Sequence, residues 1–333
     1  MLIGKPEEKD YNLYPSEYPW AREMYDQAIA NTWFPHEIAL KEDLQDFEEM
    51  TEDERHAVKF IMAFFNPAEL IVNRSVALGI YPYIKSAECH LYIAKWMWEE
   101  ANHCTSFEYV LETFPFDRDD VYSQHITTPV MKNKEAFVQK YMERMTEEKL
   151  DIETPEGKRD FIRNLIATNI VMEGIWFYSG FMVILSFRQR NKLRNFGSMI
   201  NWVLRDESLH LKFGMNLVLN VLEENADLVT EEFAAEIRDI IIEGVELDTA
   251  YNTELFPKGI LGLNADYVNQ YVKYVADRRL EELGFEAHYN VQNPAKWMAT
   301  STDVLELVNF FEQQNTNYEV NAKAHTDKKE EKK

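Results

Sequence analysis

Glutamate and histidine three residues apart occur twice in this 333-residue chain, as Glu100-Ala101-Asn102-His103 and Glu207-Ser208-Leu209-His210. On a helix, positions i and i+3 share a face, so each pair aims a carboxylate and an imidazole at one point. A lone carboxylate on a separate apolar stretch precedes each pair: Glu69 by 31 residues and Glu173 by 34. One Glu-x-x-His is a weak signal, because so short a pattern arises by chance. The combination is specific. A Glu from each of two helices plus a Glu-x-x-His from each of two others is the ligand set of a dinuclear metal-carboxylate bundle. Four carboxylates and two neutral imidazoles suit iron or manganese, and the absence of thiolates argues against structural zinc. Four negative charges balance two divalent ions, which lowers the cost of burying them together. The bland alternative, surface glutamates and core histidines, explains Glu173 poorly, since that residue has no polar face to point from.

The elements that must carry these residues read as long helices. From Asn164 to Phe187 the only charge is Glu173. The stretch is long enough to span a bilayer, but a carboxylate at its centre would be costly there. No second segment is comparably apolar, so it reads as a helix buried on all sides, whose one charge needs a metal partner. This third core helix is expected over about 158–190. The first begins near Thr51, where Thr51-Glu52-Asp53-Glu54 resembles a capping box, and runs towards Ile80. Pro67 should kink it just before Glu69. The second covers about 87–113 and the fourth about 195–224, with smaller helices near 134–149, 231–252 and 265–283. The first fifty residues look irregular apart from a short helix at about 21–31. No stretch alternates as a strand would. The expected fold is all-α, a helical bundle around a dinuclear site. Its parts are an N-terminal segment (1–50), the bundle (51–290), and a C-terminal segment (291–333) whose Lys/Glu-rich end has the composition of a disordered tail.

Composition bounds the partners. The net charge is −23, which argues against nucleic acid or an anionic membrane surface, since both need a basic face. Two cysteines, Cys89 and Cys104, and no secretory pattern at the start of the chain point to a reducing cytoplasm.

Three segments carry a family resemblance: Trp98-Glu99-Glu100-Ala101-Asn102-His103, Glu173-Gly174-Ile175-Trp176-Phe177-Tyr178 and Arg205-Asp206-Glu207-Ser208-Leu209-His210. They resemble the metal-binding helices of the ribonucleotide reductase small subunit, over nearly the whole chain from Trp33 to Tyr318. The resemblance implies a homodimer of ferritin-like bundles that generates an oxidising equivalent with dioxygen. That equivalent passes to a large subunit, where ribonucleotides are reduced. It implies Glu69, Glu100 and His103 at one metal and Glu173, Glu207 and His210 at the other. Glu69 stands where many relatives have Asp.

One departure sets the expected subtype. Most of the family places its radical tyrosine four residues after the first motif's histidine, and this chain has Phe107 there. A phenyl ring has no O–H to lose, so the chain resembles the class Ic branch. That branch stores its equivalent on the metals, typically a manganese/iron pair; dimanganese and di-iron stay open. Trp33 matches the family's relay tryptophan, and Asp206 the aspartate linking it to His103. Tyr318 matches the tail tyrosine and Glu312 its proton-managing partner. Trp202 stands where the class Ic relative has a redox-active tyrosine, a further departure and a candidate activation relay. Phe177 and Phe181 are expected to wall the dioxygen pocket. A ligand-binding oxidase on the same scaffold would share the six ligands, but such enzymes carry a crosslinking tyrosine where this chain has Thr168, and they lack a tail tyrosine. An iron-storage bundle would leave Trp33, Asp206 and Tyr318 without a role.

Overall fold

The computed structural model describes residues 1–146 and 150–298. Met1–Pro294 form one compact unit. Among the described residues there are eleven α-helices: α1 Pro19–Ala30, α2 Leu44–Glu48, α3 Glu52–Ser75, α4 Ala87–Thr113, α5 Arg118–Thr127, α6 Pro129–Thr146, α7 Pro155–Leu165, α8 Phe177–Gln189, α9 Arg194–Glu224, α10 Glu231–Leu255 and α11 Ala265–Glu282. Two isolated β-bridges, Ile3 with Ile84 and Ile260 with Leu263, are the only extended pairings among them. The all-α expectation holds.

Local chemistry fixes where the site-bearing helices begin. Thr51 Oγ1 accepts from the Glu54 backbone N–H at 3.2 Å, while Glu54 Oε2 accepts from the Thr51 N–H at 3.0 Å. This reciprocal capping box satisfies two donors that the first turn of α3 leaves free. Ser86 Oγ accepts from Cys89 N–H and starts α4. Asp43 is recruited from a distant segment for α9, accepting from the backbone N–H groups of Asn195 and Phe196.

Two elements add a change of winding that the sequence pattern does not show. α3 continues through Pro67 in α-helical conformation, and Val76–Ile80 then winds as a π-helix. The long apolar helix is interrupted: between α7 and α8, Ile166–Trp176 is π-helical, and this segment carries Glu173. π-Helical turns are rare and recur at functional sites. The combined helix 155–189 is long and apolar enough to cross a membrane, but its apolar window is wholly buried, the environment of a core helix. α9 packs on α8 and on the π-helical segment. That packing needs a residue without a side chain at Gly214, where a Cβ would lie 1.9 Å from Asn169 Oδ1.

Candidate metal centre

Four elements deliver side chains to one interior point. α3 contributes Glu69, α4 contributes Glu100 and His103, the π-helical segment contributes Glu173, and α9 contributes Glu207 and His210. All six have zero solvent exposure. Their donor atoms form two overlapping groups, Glu69–Glu100–His103–Glu207 and Glu100–Glu173–Glu207–His210, in each of which all ligand atoms lie within 4.8 Å of one another. His103 Nδ1 lies 3.0 Å from Glu207 Oε1 and 3.4 Å from Glu69 Oε2. His210 Nδ1 lies 3.0 Å from Glu100 Oε1, 3.3 Å from Glu207 Oε2 and 3.4 Å from Glu173 Oε2. The family resemblance implied Glu100 at one position and Glu207 at the other. In space each belongs to both groups, as a bridging carboxylate would.

The fit to cations rests on what these groups lack. Both oxygens of Glu69, both of Glu173, Oε2 of Glu100, Oε1 of Glu207 and Nδ1 of His103 are buried without a hydrogen-bond partner. Buried polar atoms are normally paired, and orphaned carboxylates in an apolar bundle are costly unless a cation joins them. The electrostatics agree. Burial pushes Glu100 and Glu173 well above the ordinary carboxylate range and raises Glu69. Burial acts the same way on Glu207, but the facing imidazoles of His210 and His103 outweigh it and hold this carboxylate at about 2. Burial would lower both histidines, yet the surrounding carboxylates raise each well above its usual value. Without cations, burial and close carboxylates thus favour protonated forms at five of the six groups, and two divalent ions would compete with those protons. The residues fit a dinuclear metal centre.

Around the cluster, Asp206 Oδ2 lies 3.3 Å from His103 Nε2 and accepts from Trp33 Nε1–H at 2.6 Å. The Trp33 ring stacks on His103 at 6.1 Å and meets Trp202 at 5.3 Å. These three residues therefore lie together, beside the first group. Phe107 has zero exposure and packs on Phe65 at 5.2 Å, whose ring also meets Phe177 and Phe181, each at 5.4 Å. Tyr109, the tyrosine nearest in sequence, instead donates its hydroxyl to the Ile38 carbonyl. An apolar cavity lies elsewhere, lined by Ala68, Met131, Met172 and Trp176 among others; Phe177 and Phe181 are not among its walls. Glu312 and Tyr318 lie outside the described residues.

Sequence reasoning missed two neighbours of the cluster. Trp96 Nε1–H donates to Glu100 Oε1 at 2.9 Å, and its ring stacks on His210. Glu99 Oε2 lies 3.0 Å from His210 Nε2. A polar residue beside each ligand glutamate was the available signal, and it resembles an ordinary surface charge.

Comparison with known proteins agrees with this geometry. A family model described as "Ribonucleotide reductase, small chain" matches residues 10–294. The ribonucleoside-diphosphate reductase subunit beta of Chlamydia pneumoniae is 36% identical over 309 residues, covering 92% of this chain and 89% of that one. The ribonucleoside-diphosphate reductase small chain of Nicotiana tabacum is 27% identical, covering 96% and 91%. Among solved structures, the ribonucleotide reductase R2 subunit from Clostridium botulinum superimposes with a TM-score of 0.82 at 26% identity, covering 90% of this chain and 94% of that one. With its buried carboxylate–imidazole cluster and its matched length, the chain belongs to the ribonucleotide reductase small-chain family.

Proposed function

We propose that this small subunit of ribonucleoside-diphosphate reductase is of the class Ic type and uses a manganese/iron pair. Phe107 carries the reading: a residue that cannot form a phenoxyl radical stands four positions after His103, fully buried and packed on the Phe65 ring. Glu69, Glu100, His103 and Glu207 would hold one metal and Glu100, Glu173, Glu207 and His210 the other. When bound and activated by dioxygen, the pair supplies a one-electron oxidising equivalent. The chain's own residues carry that equivalent outward. Trp33 is placed to be oxidised by the pair: its ring stacks on His103, and Asp206 Oδ2, 2.6 Å from the indole nitrogen, would accept its proton. Trp202, in ring contact with Trp33, can deliver an electron during activation. Tyr318, with Glu312 managing its proton, links the relay to the large subunit. Phe177 and Phe181 wall the side approached by dioxygen. In this reading residues 1–50 bring Trp33 to the bundle (51–290), residues 291–333 reach the partner, and the subunit works as a cytoplasmic homodimer.

The test is reconstitution with manganese and iron in air, followed by paramagnetic resonance and by nucleotide reduction with the cognate large subunit. A metal-centred signal without a tyrosyl doublet is expected, with activity scaling with manganese plus iron and little turnover from iron alone. A tyrosyl radical whose amount tracks activity would refute the class Ic reading.

A further inference from the structure

Glu99 and Asp206 hold equivalent places in the two motifs, each being the residue just before the motif's glutamate. Their side chains cross between helices. Asp206 of α9 lies against His103 Nε2 of α4 at 3.3 Å, and Glu99 of α4 lies against His210 Nε2 of α9 at 3.0 Å. Both carboxylates are 1% exposed. In each imidazole Nε2 is thereby engaged, leaving Nδ1 to face the cluster. Asp206 belongs to the proposed Trp33 relay. Among the described residues, Glu99 makes no hydrogen bond or ion pair with Trp33, Trp202 or Asp206. It pairs instead with Lys95, whose Nζ lies 3.1 Å from Glu99 Oε1 and 3.9 Å from the ring centroid of Trp98. Both side chains of this ion pair are nearly inaccessible, at 5% and 1%. A pair so far from water is a weak source of stability, so its geometry invites a positional explanation. A carboxylate behind a metal-binding histidine fixes the ring's tautomer and orientation.

We propose that Glu99 is a positioning residue for the second metal position, and that Lys95 anchors it. Glu99 accepts the Nε2–H of His210 and so directs the Nδ1 lone pair at the space bounded by Glu100, Glu173 and Glu207. Lys95 Nζ, 3.1 Å from the other carboxylate oxygen without a formed hydrogen bond, attracts it by charge away from the cluster, so Glu99 does not compete as a ligand. The inference rests on the dinuclear reading above.

Two full-length variants that differ only in the acceptor test it: Lys95→Met/Glu99→Leu and Lys95→Met/Glu99→Gln. Both remove the ion pair whole, leaving no unpaired buried charge that would itself unfold the protein. Each is titrated with manganese(II), and the free aqueous ion is counted by paramagnetic resonance. Wild type takes up two ions per chain. The Leu variant weakens one of the two by about 10–100-fold, the usual cost of losing such a partner. The Gln variant, whose amide oxygen still accepts from Nε2–H, recovers most of that loss. On a His210→Ala background, exchanging Leu for Gln changes nothing. Two ions bound with wild-type affinity by the Leu variant would overturn the role of Glu99 and leave the dinuclear centre standing, as would a Gln variant as weak as the Leu variant. Fewer than two ions in wild type would overturn the dinuclear reading, and this inference with it.

Discussion

Glu173→Ala separates a metal ligand from a packed core residue, because Glu173 is the only charge between Asn164 and Phe187 and lies in a wholly buried π-helical segment. In the metal-free protein the substitution removes a carboxyl group whose pKa burial pushes well above the ordinary carboxylate range. The cavity left by a large-to-small change in a core costs about 2–5 kcal/mol. Removal of two partnerless buried oxygens offsets this by about 1–3 kcal/mol each. The metal-free melting temperature should therefore move by only a few degrees. Metal-loaded protein behaves differently. At manganese(II) concentrations about 100-fold above Kd, each occupied position adds about 2.7 kcal/mol. With an unfolding entropy of about 2.1 cal/mol/K per residue over Met1–Pro294, unfolding becomes less favourable by about 0.6 kcal/mol for each degree below the midpoint. Two ions then raise the wild-type midpoint by about 9 °C and one ion by about 4 °C. Differential scanning calorimetry with and without manganese(II) reads both quantities. A Glu173→Ala protein that gains the full wild-type shift on metal addition refutes the assignment of Glu173 as a ligand.

Protons should compete with metal. Glu100, Glu173, His103 and His210 all have pKa values raised well above the ordinary range in the metal-free cluster, so protons bind them more tightly there. Manganese(II) binding should release protons and weaken as pH falls, and calorimetry in buffers of different ionisation enthalpy would expose a proton-neutral binding that contradicts this. By the same sign, these groups bind protons more tightly folded than unfolded. Their contribution to the metal-free fold is fully present below their ordinary values and is lost as pH rises through the raised ones. Away from the centre, Lys134 and Asp248 form a fully buried ion pair at 2.5 Å, with the ammonium against Phe64, Trp176 and Tyr251. Lys134→Met should cost about 3–5 kcal/mol by denaturant unfolding because it strands Asp248, and pairing it with Asp248→Leu should restore most of the loss; equal costs for the single and double variants would contradict that account. Tyr318→Phe keeps shape and removes the redox-active O–H, so metal loading and subunit affinity should stay at wild-type level while nucleotide reduction falls to background. Full reduction by this variant would remove Tyr318 from the relay.

What the sequence made legible was local, and what it hid was pairing across distance. α4 was predictable end to end because Ser86 can cap its first turn and Phe114-Pro115 stops its last. The six cluster residues were predictable because i, i+3 spacing and an isolated charge in an apolar run are themselves local patterns. α5 was missed because Val121 is its only buried residue, so no apolar stripe marks it. The π-helical winding at 166–176 was hidden for the opposite reason: every residue there is buried, and a stretch with no exposed face carries no period from which a change of winding could be read. Pro67 does not end α3, which lies packed along α4 and stays α-helical to Ser75. The crossed partnership of Asp206 with His103 and Glu99 with His210 spans 103 and 111 residues and exists only once α4 and α9 face each other. Adjacent acidic residues on a helix usually mean one ligand and one solvated neighbour. Here the second carboxylate of each pair turns to the imidazole supplied by the other helix, so each motif completes the environment of its counterpart. The same contact explains why Glu99 and Asp206 are buried in a chain whose other surplus acids lie mostly in solvent. The centre is thus specified by the packing of two helices as much as by the ligands each one carries.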